Sequence, residues 1–339
     1  MTYRVIQWYT GEIAKEQIRV IHRHPELELV GAVCFHDDKH GMDVGEIAGI
    51  GPIGVKATKN ASEALALEAD CVLYNAPFAN YDDIPAILAS GKNVVNVVGS
   101  TYPKVTKDYD MLEKACREGQ SSLMGSGMHP GLHGDYLPLL ATSAAHTIKN
   151  VLIVEAGNMS GYVPTTLQFM GFGEKIEDLE AREDFAERMT TTYQEMVALV
   201  ADGAGIEYDE LTSECEFGAA TRDCENGLVK KGAVGGIRVF AHAMSKGKPV
   251  VTEKLTWYVD DEMGEEWTGD NGGYIVRLTG VPNVNIEITW SEEGRTMLEA
   301  CLTFTAARMI NSIPIVCEAK PGCRTALDLP VPRGFKPFR

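Results

Sequence analysis

The sequence has no C-x-x-C pair. Its cysteines, Cys34, Cys71, Cys116, Cys215, Cys224, Cys301, Cys317 and Cys323, stand singly along 339 residues. That spacing argues against a zinc site. His133 and Asp135 suggest a metal pair at first sight, but no further ligands cluster beside them, so no metal is expected. Cys34 and Cys71 lie in or beside apolar runs, which suits buried thiols. An excess of basic charge is also missing. The net charge is −17, which excludes nucleic acid and anionic membrane surfaces as partners, because phosphates would repel such a surface. No stretch approaches the ~18 apolar residues of a membrane span. No basic-then-apolar signal precedes the first strand-like run, which points to a cytoplasmic protein with reduced cysteines. Internal repeats and low-complexity segments are absent too.

What is present is an ordinary globular composition, 45% hydrophobic and 23% charged, in a chain long enough for two domains. Strand-like runs at 3–9, 27–35, 71–76, 93–99 and 121–127, with a shorter one at 53–57, alternate with helix-like stretches at 12–24, 61–69, 81–90 and 109–118. Pro25, Gly91 and Gly119 punctuate the helices. This alternation predicts an α/β, doubly wound parallel sheet. The pattern changes near His133. A strand at 148–159 and helices within 177–204 precede paired strands at 234–244 and 250–259, then 274–278 and 283–290, which read as antiparallel hairpins. A helix at 297–311 should stop before Pro314. The expected division is a dinucleotide-type domain at 1–130, an α+β domain with an open antiparallel sheet at 131–300, and a segment at 301–339 that returns to the first domain.

The turn after the first strand lacks two of the three glycines of G-x-G-x-x-G. Gly11 keeps the middle one, which lets the backbone approach a pyrophosphate, while Tyr9 and Ala14 replace the others. Ala14 suits close helix packing. Tyr9 calls for a turn with negative φ. The helix start after Gly11 would still offer unpaired N–H groups to a phosphate, although the Glu12 carboxylate opposes one. Asp37 stands near the distance at which an acid binds the ribose 2′-OH of NAD, and Asp38 is its neighbour. Both acids would repel a 2′-phosphate, which favours NAD, although His36, Lys39 and His40 could offset this and leave NADP open.

The runs VIQWYTGEIA, HPELELVGAV, GEIAGIGPIGVKAT, GSGMHPGLHGDYLPL (125–139), MGFG, GAVGGIRV, TGDNGGYIVRL and NSIPIVCEAKPGCRTALDLP cover nearly the whole chain. In this order they resemble the native amine dehydrogenases and 2,4-diaminopentanoate dehydrogenases, in the dihydrodipicolinate-reductase-like group. The resemblance implies a Rossmann domain, a second domain for substrate and dimer contacts, a homodimer, and reduction of an imine formed from a small ketone and ammonia, or the reverse, with NAD or NADP. It implies that Tyr9, Thr10, Gly11, Glu12 and Ile13 form the diphosphate turn, that Asn75, Ala76 and Pro77 flank the cofactor, that Gly99, Gly127 and Met128 lie near it, that Asn311 reaches the nicotinamide amide, and that Tyr162 lines the substrate pocket. Dihydrodipicolinate reductase itself fits less well, because VEAGNMSGYVPTTLQ lacks the histidines and lysine that grip a dicarboxylate. A site without those cations should take a neutral or cationic substrate.

The family's glutamate, which holds the substrate amine shortly before a Tyr-Pro pair, has no counterpart in NVVNVVGSTYPKV, where Gly99, Ser100 and Thr101 precede Tyr102. The groups left to handle a proton are His129, Tyr162, Tyr102 and Glu155, each with a plainer alternative as a loop anchor, pocket wall, turn staple or ion-paired strand residue. The expected activity is therefore an amine-dehydrogenase-like oxidoreductase. The alternatives are a carbonyl or imine reductase that does not use ammonia, and a non-catalytic nucleotide-binding homologue.

Overall fold

A computed structural model of the chain describes residues 2–77, 81–225, 227–269 and 273–334. Residues 270–272 of the TGDNGGYIVRL motif and the last five residues of the expected C-terminal segment lie outside this set. The chain divides into two compact units. One holds residues 1–132 with 299–339, the other 133–298.

The first unit runs β1 (Tyr3–Trp8), α1 (Glu12–Arg23), β2 (Leu27–Val33), α2 (Val44–Ile47), β3 (Ala57–Thr58), α3 (Ala61–Leu65), β4 (Cys71–Tyr74), α4 (Ile84–Ala89), β5 (Asn93–Asn96), α5 (Tyr109–Gly119) and β6 (Ser122–Gly125). The second unit runs α6 (Leu137–Ser143), β7 (Thr147–Asn158), α7 (Pro164–Phe169), α8 (Ile176–Glu180), α9 (Glu183–Ala204), β8 (Glu210–Ala219), β9 (Val234–Ser245), β10 (Lys248–Tyr258), α10 (Glu265–Thr268), β11 (Tyr274–Val281) and β12 (Val284–Ile288). Helix α11 (Met297–Cys317) and β13 (Gly322–Cys323) bring the chain back to the first unit.

In the first unit the strand order is β3-β2-β1-β4-β5-β6-β13, and every pairing is parallel. The order reverses between β1 and β4, which is where open α/β sheets bind ligands, beyond the carboxyl ends of the strands. Strands such as Cys71–Tyr74 and Ser122–Gly125 are buried along their length, as a sheet covered on both faces requires. Ala14, Gln17, Ile18 and Ile21 of α1 recur at helical spacing and form its buried face. Trp8, Tyr74, Ile84, Leu88, Leu112 and Leu123 belong to the core beneath the sheet. The run at 53–57 joins the parallel sheet only at its end, as β3, because Lys56 bridges antiparallel to Asp43 and the Asp43 hydrogen bonds hold Ile53 and Gly54 in a turn.

Helix α11 corrects two expectations. It does not stop before Pro314 but continues to Cys317. Burial of Ile310, Ile313 and Val316 along one face outweighs the single hydrogen bond a proline forfeits near the helix end. By length and composition it is also apolar enough to cross a bilayer, and half of that apolar window is buried inside the folded chain. Its threonines, serine and asparagine hid this length in the sequence.

The second unit's sheet is ordered β12-β11-β7-β10-β9-β8. Both expected hairpins form, β9 with β10 and β11 with β12. The sheet is nevertheless mixed, because β7 lies between β11 and β10 and pairs in parallel with β10. The chain leaves β7 through α7, α8 and α9 before β8 begins, a connection long enough to make a parallel neighbour possible. Strand β8 and helix α6 carry too few patterned residues to have been read from the sequence.

Asp260, just after β10, organises the neighbouring loop. Its buried carboxylate accepts from the Thr221 N–H at 2.8 Å, the Thr221 hydroxyl at 2.7 Å and the Arg222 guanidinium at 3.1 Å. Burial alone would raise its pKa, but these donors and the Glu262 N–H outweigh it and bring it down to about 2. A depressed carboxylate stabilises the fold above its unfolded pKa of about 3.9 and loses that contribution as pH falls toward 2. Asp260→Asn should therefore cost about 2 kcal/mol in urea unfolding at pH 7, with the gap to the native chain closing near pH 2. A pH-independent gap would show that the charge is not what matters.

Candidate functional site

At the end of β1 the turn is built for a close approach. Gly11 caps α1 with φ −79°, no side chain caps the helix, and a Cβ placed on Gly11 would meet nothing within 4 Å. The first N–H groups of α1 therefore take no side-chain cap from Gly11. Tyr9 takes φ +70°, against the expected negative angle. Tyrosine has kept the left-handed backbone for which glycine is the usual choice. Its ring explains how this is tolerated. It stacks on Phe35 with centroids 4.2 Å apart and meets Tyr74 edge-on at 5.5 Å, contacts worth about 1 kcal/mol each against a similar backbone cost. The ring therefore lies toward the ends of β2 and β4, against Phe35 and Tyr74.

Neighbouring polar groups shape the turn. The Lys39 ammonium donates to the Thr10 carbonyl at 2.8 Å. Glu12, the charge that opposed a phosphate in the sequence, is ion-paired with Lys15 at 2.7 Å. Ala14 is fully buried under the sheet and Ile13 is half-buried. Asp37 opens a 3-10 turn after β2, where its carboxylate pairs with Lys59. That bond, with the lysine's charge, holds the Asp37 carboxyl below its usual range.

Across the reversal of strand order, Asn75 follows β4. Its side-chain NH2 donates to Gln17 Oε1 at 2.6 Å, and the Gln17 amide reaches Met309 Sδ at 3.0 Å. The Asn75 Oδ1 is buried without a hydrogen-bond donor among the described residues. Ala76 is buried and Pro77 exposed. Gln17 and Met309 escaped the sequence reading, because nothing local links a helix in the first domain to one near the C-terminus.

Beyond β5 the chain bends through Gly99 (φ +77°) and Ser100 (φ +61°). The Ser100 N–H donates to the Tyr81 hydroxyl at 3.2 Å, and Asn96 Nδ2 donates to Ser100 Oγ at 3.0 Å. Thr101 and Tyr102 are buried behind it. Where the family resemblance implied a carboxylate there are buried hydroxyls. Next to this bend, β6 leads into Ser126, Gly127, Met128 and His129. Ser312 of α11 donates to the Arg308 carbonyl at 2.8 Å, so the Ser126 hydroxyl is the donor in the 2.8 Å bond to Ser312. A Cβ on Gly127 would meet the Pro130 carbonyl at 2.9 Å and Thr305 at 3.4 Å. Gly99, Tyr102, Gly127, Met128 and His129 all lie at the carboxyl ends of β5 and β6, with Asn311 adjoining Ser312 on α11.

The remaining candidates belong to the second unit. Glu155 of β7 is buried and accepts from Trp257 Nε1 at 2.8 Å. Burial, followed by the charges of Glu155 and Glu253, drives the Tyr193 hydroxyl well above its usual pKa. Tyr162 is half-buried in the loop before α7, where its N–H donates to the Met159 carbonyl at 3.0 Å. Among the described residues no three His, Cys, Asp or Glu side chains are grouped to hold a metal ion.

Residues 133–337, more than half of the chain, match the family described as 2,4-diaminopentanoate dehydrogenase C-terminal domain. The chain belongs to the 2,4-diaminopentanoate dehydrogenase family. Residues 5–124 match a second family, the N-terminus of dihydrodipicolinate reductase. An amine dehydrogenase from Streptomyces virginiae is 26% identical over 96% of both chains. A 2,4-diaminopentanoate dehydrogenase from Acetoanaerobium sticklandii is 24% identical over 82% of this chain and 76% of its own. The structure of an amine dehydrogenase from Mycobacterium smegmatis superposes with a TM-score of 0.83 at 20% identity, over 98% and 97% of the two chains, which establishes the shared fold. The chain is an oxidoreductase that uses NAD or NADP. The open backbone at Gly11 and the uncapped start of α1 fit the diphosphate of that cofactor.

Proposed function

We propose that this oxidoreductase works at a carbon–nitrogen bond, reducing the imine formed from a small ketone and ammonia or oxidising the corresponding amine. The observation that carries the reading is the open diphosphate turn at Gly11, set at the reversal of strand order in a chain that is similar to amine dehydrogenases over nearly its whole length. Hydride chemistry comes from the bound nicotinamide. The chain's own part is to rest the diphosphate against Gly11 and α1, to orient Asn75 through Gln17, and to supply one proton. Tyr102 and His129 in the first unit, with Glu155 and Tyr162 in the second, are the groups proposed for proton handling. Gly99, Met128 and Asn311 remain proposed cofactor contacts, while Asp37 acts there only through its ion pair with Lys59.

A second reading is favoured by the bend at 99–102. Its hydroxyls are neutral, so it presents no carboxylate to an ammonium group. Such a bend suits a neutral acceptor, a carbonyl or a preformed imine. A spectrophotometric panel of small ketones with NADH and NADPH separates the two. Turnover that requires added ammonium is expected. Equal turnover without it would establish the carbonyl reading. Tyr102→Phe should lower kcat at least tenfold at unchanged dinucleotide affinity if its hydroxyl moves the proton.

A further inference from the structure

The residue that meets the diphosphate turn from the end of β2 is not an acid. Selection for NAD is ordinarily made there by a carboxylate that accepts from the ribose hydroxyls. In this chain the ring of Phe35 occupies the approach, stacked on Tyr9 at 4.2 Å with an interplanar angle of 21°. Tyr9 covers one side of that ring, yet Phe35 is still 48% exposed, far more than a ring that serves only the core. An exposed aromatic face beside a diphosphate turn offers a purine a stacking surface. The nearby carboxylate, Asp37, is committed to Lys59.

We propose that adenine stacks on the Tyr9–Phe35 pair and that Lys59 and Lys39 take the 2′-phosphate, so that the site prefers NADP(H) to NAD(H). This rests on the dinucleotide reading of the Gly11 turn. Lys59 spends one of its three N–H donors on Asp37, and Lys39 spends one on the Thr10 carbonyl. Both ammonium groups keep donors for a phosphate, and bonds of that charge-assisted kind are the strong ones. Lys39 stands in the turn after β2 and its ammonium reaches the Thr10 carbonyl of the diphosphate turn, so its charge is already beside the path of the adenosine half. His36 and His40 flank the same bend, and the His40 ring accepts from the backbone N–H of Lys59 at 3.2 Å. Asp37 and Asp38 oppose a phosphate. The Lys59 pair neutralises the first, and a bridging lysine can hold a carboxylate and a phosphate together. Glu12 does not add to the opposition, because Lys15 balances it.

Titration of the full chain with NADPH, NADH, adenosine 2′,5′-bisphosphate and AMP, followed by calorimetry and nucleotide fluorescence, reads the preference without any substrate. NADPH should bind about tenfold more tightly than NADH, and the bisphosphate should exceed AMP by a similar factor. Lys59→Ala should weaken NADPH about tenfold and spare NADH, while Phe35→Ala should weaken both several-fold. Phe35→Asp should invert the preference, since it restores a carboxylate facing the ribose. NADH bound as tightly as NADPH, or Lys59→Ala without effect on NADPH, would overturn the proposal and leave the dinucleotide site standing. Binding of neither cofactor would sink the site and the proposal with it.

Discussion

Gly11→Asp is expected to abolish cofactor binding without harming the fold. Gly11 has an ordinary φ of −79°, and a side chain there would enter empty space, so nothing in the folded chain resists the substitution. Asp is a better helix cap than glycine, and a negative charge at this end favours the α1 dipole, together a few tenths to about 1 kcal/mol in the direction of stability. The same carboxylate would stand where the diphosphate must rest, occupying the N–H groups and repelling the ligand. Dinucleotide affinity should fall roughly a hundredfold while the melting temperature stays level or rises. Calorimetric titration alongside thermal unfolding checks both halves. A Gly11→Asp protein that still bound NADPH within a few-fold of the native chain would show that the phosphates rest elsewhere.

Much of the scaffold that sets up this experiment was legible in the residues. The alternation of apolar runs with helical stretches gave a parallel sheet, and the stretch at 12–24 gave helix α1. Both hairpins of the second sheet were marked by their turns. What could not be read was mostly non-local. The parallel pairing of β7 with β10 depends on where a strand lands after three helices. Asp37 was noticed for its distance from the glycine turn, but its partner Lys59 lies 22 residues further on. Phe35 and Tyr9 stand at the ends of different strands, and only their ring contact shows how a tyrosine can occupy a glycine's backbone conformation. That contact also gives the Tyr9 ring partners at the ends of β2 and β4.

Gly125 shows the opposite use of a missing side chain. A Cβ there would lie 2.4 Å from the Gly99 carbonyl oxygen, 2.7 Å from the Ser100 carbonyl carbon and 2.7 Å from the Thr101 nitrogen. All three are backbone atoms, so no side chain can swing aside. The Gly125 N–H also donates to the Ser100 carbonyl at 2.7 Å, which ties the last residue of β6 to the bend. Gly125→Ala must therefore push the 99–101 bend away from the sheet, break that bond and disturb the buried Thr101 and Tyr102. Overpacking of this kind should cost about 3 kcal/mol, a drop of roughly 9 °C in melting temperature for a unit of this size. Gly11→Ala, whose methyl group enters open space, should change stability by less than about 1 kcal/mol and serves as the control. Because the displaced bend carries Tyr102 and the proposed cofactor contact Gly99, Gly125→Ala should lower both turnover and dinucleotide affinity, turnover the more because the diphosphate turn lies on β1. Equal stability of the two alanine variants would mean that the bend gives way freely. It could then not hold Tyr102 rigidly enough to deliver a proton.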